Sequence, residues 1–123
     1  MINCFFFFVF VRFRFHINLQ KSCHIYPHPD IALHINPRFE NGDRSVVLNS
    51  FYNGNWGQEQ VIGANNPFRP NSDFVIGIRQ DATHFQISVN GARLTNFNYR
   101  ILASLIDSVV IDGDVTISKV LVI

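Results

Sequence analysis

Charge is scarce in this chain. Only 15% of its residues are charged, and the 10 Lys and Arg nearly balance the 9 Asp and Glu, for a net charge of +1. No basic run exists, so neither nucleic acid nor an acidic membrane surface is indicated as a partner. Cysteine is also sparse. Cys4 and Cys23 are the two thiols, and neither sits in a Cys-x-x-Cys spacing. Two distant thiols make no disulfide framework, and free reduced thiols from a cytosolic site of synthesis are the plain expectation. The chain has no Asn-x-Ser/Thr acceptor, which fits a protein that avoids the secretory pathway. The longest apolar run, residues 4–11, is too short to span a bilayer. It also lacks the basic start and small-residue cleavage site of a signal peptide. No segment carries a sustained helical period, and no internal repeat is present.

What remains is apolar and aromatic. The 123 residues are 47% hydrophobic, with 13 phenylalanines, enough for one packed domain and too apolar for a disordered chain. Residues 4–11 are rich in Phe and favour a strand, since aromatic and β-branched side chains suit a pleated surface. Four consecutive phenylalanines without a gatekeeper are an aggregation hazard if left exposed. Residues 15–19, 31–39, 45–51 and 56–62 read as strands, followed by 74–79, 84–89, 92–97, 109–111 and 115–123. Asn-Gly at 41–42 and 90–91, and Asn-Gly-Asn at 53–55, are turn signals between them. Residues 21–30 and 63–73 are loops held by prolines, and 101–105 has room for one helical turn. The first loop holds Cys23, His24, His28 and Asp30, but their spacing matches no standard metal site, so a solvated loop is expected. Many short strands with regular turns define an all-β sandwich or barrel.

The stretch from His34 to Glu59 carries the chemistry. Strand alternation sends Leu33, Ile35 and Phe39 to one face and His34, Asn36 and Arg38 to the other. Asn49, Trp56 and Glu59 arrive on the next segments. If these pair as neighbours, one patch gathers an indole, a carboxylate, a guanidinium, an imidazole and two amides. That equipment suits a sugar: an aromatic face for its C–H groups and fixed polar groups for its hydroxyls.

The order His34-x-Asn36-Pro37-Arg38, Asn49, Trp56-Gly57-x-Glu59 resembles the signature of the galectins, the β-galactoside-binding animal lectins. The likeness extends to Phe15-His16-Ile17-Asn18-Leu19, to the stretch from Phe85 to Gly91, to Phe97 with Arg100-Ile101, and to Gly113-Asp114-Val115. It runs from about Arg14 to the C-terminus. It implies a jelly-roll β-sandwich of two antiparallel sheets with the sugar site on the concave face. On this reading residues 1–13 are an atypical Phe-rich segment whose strands are incomplete beside the family's. Residues 14–123 are the carbohydrate-recognition domain.

The resemblance further implies roles. His34, Asn36 and Arg38 hydrogen-bond an axial 4-hydroxyl. Arg38 and Glu59 form a charged pair that reaches the 3-hydroxyl of a second sugar. Asn49 and Glu59 take the 6-hydroxyl, and Trp56 lies under the C–H face. The ligands are then β-galactosides of the lactose and N-acetyllactosamine type on glycoproteins or glycolipids, bound without cofactor, metal or catalysis. No nucleic acid and no membrane insertion are implied. A homodimer through the terminal strands is a further implication, as is localisation in the cytoplasm, outside the cell by a non-classical route, or both. Two departures stand out. Val61 occupies the position of a family Arg that supports the Glu, with Arg44 a candidate substitute, and Tyr99 stands where the family often has His. Two other readings stay open. One is a galectin-like scaffold with lost or altered sugar binding that works through protein contacts. The other is a hydrolase on a related sandwich, disfavoured because glycoside hydrolysis needs two carboxylates and the site strands offer Glu59 alone.

Overall fold

The computed structural model describes residues 3–9, 11, 13–24 and 27–123. Phe10 and Arg12, at the end of the Phe-rich run, and Ile25 and Tyr26, in the first loop, lie outside the described residues.

Eleven strands are described: β1 (Asn3–Val9), β2 (Phe15–Gln20), β3 (Ile31–Pro37), β4 (Val46–Tyr52), β5 (Asn55–Trp56), β6 (Gln60–Ile62), β7 (Phe74–Gln80), β8 (His84–Val89), β9 (Ala92–Asn98), β10 (Ser108–Gly113) and β11 (Thr116–Val122). Single 3-10 turns stand at Glu40–Gly42 and Ala103–Leu105. The strands form two antiparallel sheets. One has the order β11-β1-β7-β8-β9, and the other β10-β2-β3-β4-β5 with β6 also paired to β4. This is the expected sandwich. Asn53-Gly54 and Asn90-Gly91 close the β4–β5 and β8–β9 hairpins with positive φ at both residues, which is why Asn and Gly occupy them.

The Phe-rich segment is a strand buried in mid-sheet. β1 pairs with β11 on one side and β7 on the other, so both of its edges are covered. Alternation turns Phe6 and Phe8 into the core, at 1% and 2% exposure. Phe8 packs against Phe15 and Phe74 with ring centroids 4.8 and 5.2 Å away. The exposed, aggregation-prone alternative is therefore set aside. Phe7 faces outward with the Lys119 ammonium 5.5 Å from its ring centre.

The second sheet positions the site. Ile17, Ile35 and Leu48 are register partners across β2, β3 and β4 and are fully buried against the first sheet. The neighbouring row, Asn18, His34 and Asn49, must then point to the opposite, concave face, because side chains alternate. The single strand expected over 56–62 is instead two, β5 and β6. The break has a local cause. The Gly57 amide still donates to the Ser50 carbonyl at 2.9 Å, but the Gly57 carbonyl accepts from the Asn49 side-chain amide at 2.9 Å. That side chain takes the place of a ladder bond, and residues 57–59 leave the sheet.

Candidate functional site

A pocket of about 390 Å³ on the concave face is lined by His34, Arg38, Val47, Asn49, Trp56, Gly57 and Glu59. Five of the six residues singled out in the sequence therefore converge on it. Asn36 does not line it. Asn36 is 7% exposed and its amide donates to the Phe15 carbonyl at 2.6 Å. Its oxygen accepts from Arg38 Nε at 2.8 Å. Asn36 thus aims the guanidinium from beneath.

The other wall residues are equally constrained. Asn49, 4% exposed, donates to Gly57 and accepts at its oxygen from the Ser50 amide at 2.8 Å and from Arg100 Nη1 at 3.0 Å. Arg100 also donates to Ser50 Oγ at 3.3 Å, and its guanidinium lies 4.5 Å over the Phe97 ring. His34 Nδ1 is 2.6 Å from Asn18 Oδ1, and its ring lies 5.3 Å from His16 and 4.9 Å from Trp56. Burial, then the nearby His16 and Arg38 charges, lower the His34 pKa to about 4, so the ring is neutral near pH 7. Trp56 pairs with Phe51 in register, meets it edge-on at 5.1 Å, and keeps 47% of its surface exposed. An indole braced on one side and open on the other is a platform.

Glu59 is the loose member. Among the described residues it makes no salt bridge, and the ion pair expected between Arg38 and Glu59 is not formed. The cause is geometric. Arg38 is turned by Asn36, and Glu59 sits exposed in the 57–59 break. The suggested substitute, Arg44, is committed elsewhere: its Nη2 donates to the Asn66 and Phe68 carbonyls at 3.5 and 3.3 Å. Val61 is the register partner of Val47, which lines the pocket.

A larger cavity, about 800 Å³, opens between the β1–β11 and β2–β10 sides of the sandwich and is lined largely by apolar groups such as Leu19, Ile78, Ile106 and Val122. Its carboxylates are occupied: Asp81 holds Arg79 and His84, and Asp107 accepts from the Ser22 amide and the Ser108 hydroxyl. It offers none of the convergent free polar groups of the concave pocket, so the smaller pocket is the better candidate.

A two-sheet antiparallel sandwich whose concave face presents a braced, half-exposed indole amid aimed polar groups has the design of a lectin. The model of the family described as galactoside-binding lectin matches residues 11–122, and the chain belongs to that family, the galectins. Over 92 residues it is 46% identical to galectin-4 of Bos taurus, covering 74% of this chain and 27% of the relative. Over 107 residues it is 36% identical to the 32 kDa beta-galactoside-binding lectin of Caenorhabditis elegans, covering 87% and 37%. The chain thus spans well under half the length of these relatives. Sheep galectin-11 shares the fold, with a TM-score of 0.87 at 18% identity over 99% of this chain and 89% of that one.

Proposed function

We propose that this domain binds β-galactosides of the lactose and N-acetyllactosamine type, on glycoproteins or glycolipids, without catalysis or calcium. The observation that carries the reading is the convergence of Trp56, His34, Arg38, Asn49 and Glu59 on one pocket of about 390 Å³. Each group has a distinct task. Trp56 supplies area for the C–H face of galactose. His34 and Arg38 flank the axial 4-hydroxyl, with Asn36 holding Arg38 in aim. Asn49, locked by Arg100 and Gly57, has an amide hydrogen left for the 6-hydroxyl. Glu59, acceptor only, serves the 6-hydroxyl and the second sugar. A glucoside presents its 4-hydroxyl equatorially and leaves these groups unpaired, at about 1–3 kcal/mol each. Hydrolysis is disfavoured because Glu59 is the one carboxylate among the lining residues.

A second reading has one observation behind it. Glu59 has no ion pair among the described residues and Val61 gives it no cation, which favours a scaffold with weakened sugar binding that works through protein contacts. Chromatography on immobilised lactose separates the two. Retention followed by elution with free lactose supports the lectin, and passage in the void volume supports the scaffold. Residence in the cytoplasm, or outside the cell by a non-classical route, is part of the proposal.

A further inference from the structure

We propose that the cavity at the open edge of the sandwich, between β10 and β11, binds an elongated apolar molecule that ends in a cationic head, with its body seated between Leu19 and Ile78 and its head against Asp107. The site lies between the sheets, whereas the sugar pocket lies on the outer, concave face of the second sheet, so the inference stands apart from the galactoside reading.

The cavity exists because two edge strands present core-facing side chains that the described residues leave uncovered. Val109 on β10 is the register partner of Leu19, and Val122 and Val120 on β11 are the partners of Cys4 and Phe6. Register partners share a face of the sheet. Leu19 and Phe6 are buried, at 4% and 1% exposure, so all three valines point between the sheets. Yet Val109, Val120 and Val122 are 44%, 50% and 63% exposed. Protein interiors are otherwise close-packed, and wet apolar surface costs free energy in proportion to its area. The gap is about 800 Å³ and reaches inward to Leu19 and Ile78. That falls within the roughly 300–1,000 Å³ of small-molecule pockets. A further strand added to β11 would satisfy its edge N–H and C=O groups, but it would lie beside the sheet and leave the space between the sheets open.

The charges at the mouth choose the head. Asp81 and Asp107 are the charged groups among the described lining residues, and no Lys, Arg or His joins them. Asp81 is engaged by Arg79 and His84 at 3.0 and 3.2 Å. Asp107 makes no salt bridge among the described residues. Its Oδ1 accepts from the Ser22 amide at 2.7 Å and from the Ser108 hydroxyl at 2.8 Å. Those bonds fix the carboxylate and leave Oδ2 without a hydrogen-bond partner among the described residues. An oriented carboxylate beside an apolar cavity attracts an ammonium and repels a fatty carboxylate. Cys4 lines the same cavity, where burial raises the pKa of its thiol, and a molecule seated there shields it from alkylation.

Alkylation by N-ethylmaleimide at pH 8, followed cysteine by cysteine in a mass spectrometer, tests this with decyltrimethylammonium, 1-decanol and decanoate below their micellar or solubility limits. Cys23, exposed on the first loop and outside the cavity lining, is the internal control. The ammonium should slow Cys4 and spare Cys23, with half-protection at an about threefold lower concentration than the alcohol needs, the scale of one partly exposed ion pair. Decanoate should protect least. Asp107→Asn keeps an acceptor for Ser22 and removes the charge; the ammonium should lose its advantage while the alcohol protects as in the wild type. Val109→Trp, which fills the mouth from a half-exposed position, should abolish protection by all three probes. Cys4 unprotected by every probe, decanoate matching the ammonium, equal slowing of both cysteines, or protection that persists in a folded Val109→Trp overturns the proposal. So does a Cys4 that becomes protected without any probe as the protein is concentrated, because a second copy then covers the mouth.

Discussion

Replacing Val61 by arginine should tighten lactose and leave free galactose nearly unchanged. Val61 is 55% exposed and is the register partner of Val47, a residue of the pocket wall, so the longer side chain has open space to enter. Fold stability should stay within about 0.5 kcal/mol, as for most surface substitutions. The new guanidinium lies two residues from Glu59, which has no ion pair among the described residues. At about 4 Å in water the attraction is roughly 1 kcal/mol, and exposed pairs usually realise 0.2–1 of that. A charge-assisted hydrogen bond to the second sugar adds up to about 1.5–3 kcal/mol, and ordering a long side chain costs up to about 2. The net is about 1 kcal/mol, or roughly fivefold in Kd. On the proposed reading galactose relies on His34, Arg38, Asn49 and Trp56 and meets Glu59 only through its 6-hydroxyl, so it should gain little. Calorimetric titration of both proteins with both sugars reads this directly. Equal gains for the two sugars, or none, would refute the reasoning. Arg44 could not excuse a null result, because it is tied to the Asn66 and Phe68 carbonyls.

Three further outcomes are expected. Phe8→Ala, at a 2% exposed site between Phe15 and Phe74, should cost about 3–5 kcal/mol in guanidinium unfolding, while Phe7→Ala, on the outer face of the same strand, should cost about 1; equal costs would deny that β1 alternates as described. Acid should destabilise the fold through His34. The unfolded ring takes up its proton near pH 6.5 and the folded one only at about 4, so protonation favours the unfolded chain as pH falls through that window, by about 2–3 kcal/mol in all. Urea midpoints from pH 7 to pH 4 should drop accordingly, and less steeply in His34→Asn; parallel curves would refute this. Arg100→Met should weaken lactose binding several-fold in calorimetry, because Asn49 loses one of the two donors on its oxygen, without itself removing a sugar contact. Unchanged affinity would show that Gly57 and Ser50 alone hold Asn49.

Much of this was legible because strands announce themselves locally. Alternation in residues 31–39 separates Ile35 from His34 without any knowledge of partners, and Asn-Gly pairs mark hairpins. The galectin signature then groups residues that sequence spacing alone could not bring together. What escaped depends on register and on side chains that reach across the fold. Nothing local says that Asn18 will face His34, since their pairing follows from the length of the 21–30 loop. Arg100 lies 51 residues from Asn49, and only the closure of the sandwich brings it there. The break between β5 and β6 arises because one side chain, Asn49, replaces a ladder bond, which no periodicity reports. The Arg38–Glu59 pair failed for a related reason. Asn36, two residues from Arg38 on the same face, captures Nε first. The partners of the Phe run were also hidden, because its register with β11 joins Phe5 to Leu121 near the other end of the chain.

The most direct test of the central claim uses the chain's one tryptophan. Trp56 is half-exposed on the pocket wall, so its emission reports a sugar seated there and nothing else in the protein competes with the signal. Lactose, titrated to roughly 50 mM to cover binding of millimolar strength, should shift or quench the emission along a saturable curve. Cellobiose, whose terminal sugar carries the 4-hydroxyl equatorially, should leave it unchanged. An emission spectrum indifferent to lactose, or one that responds equally to both disaccharides, would contradict the account.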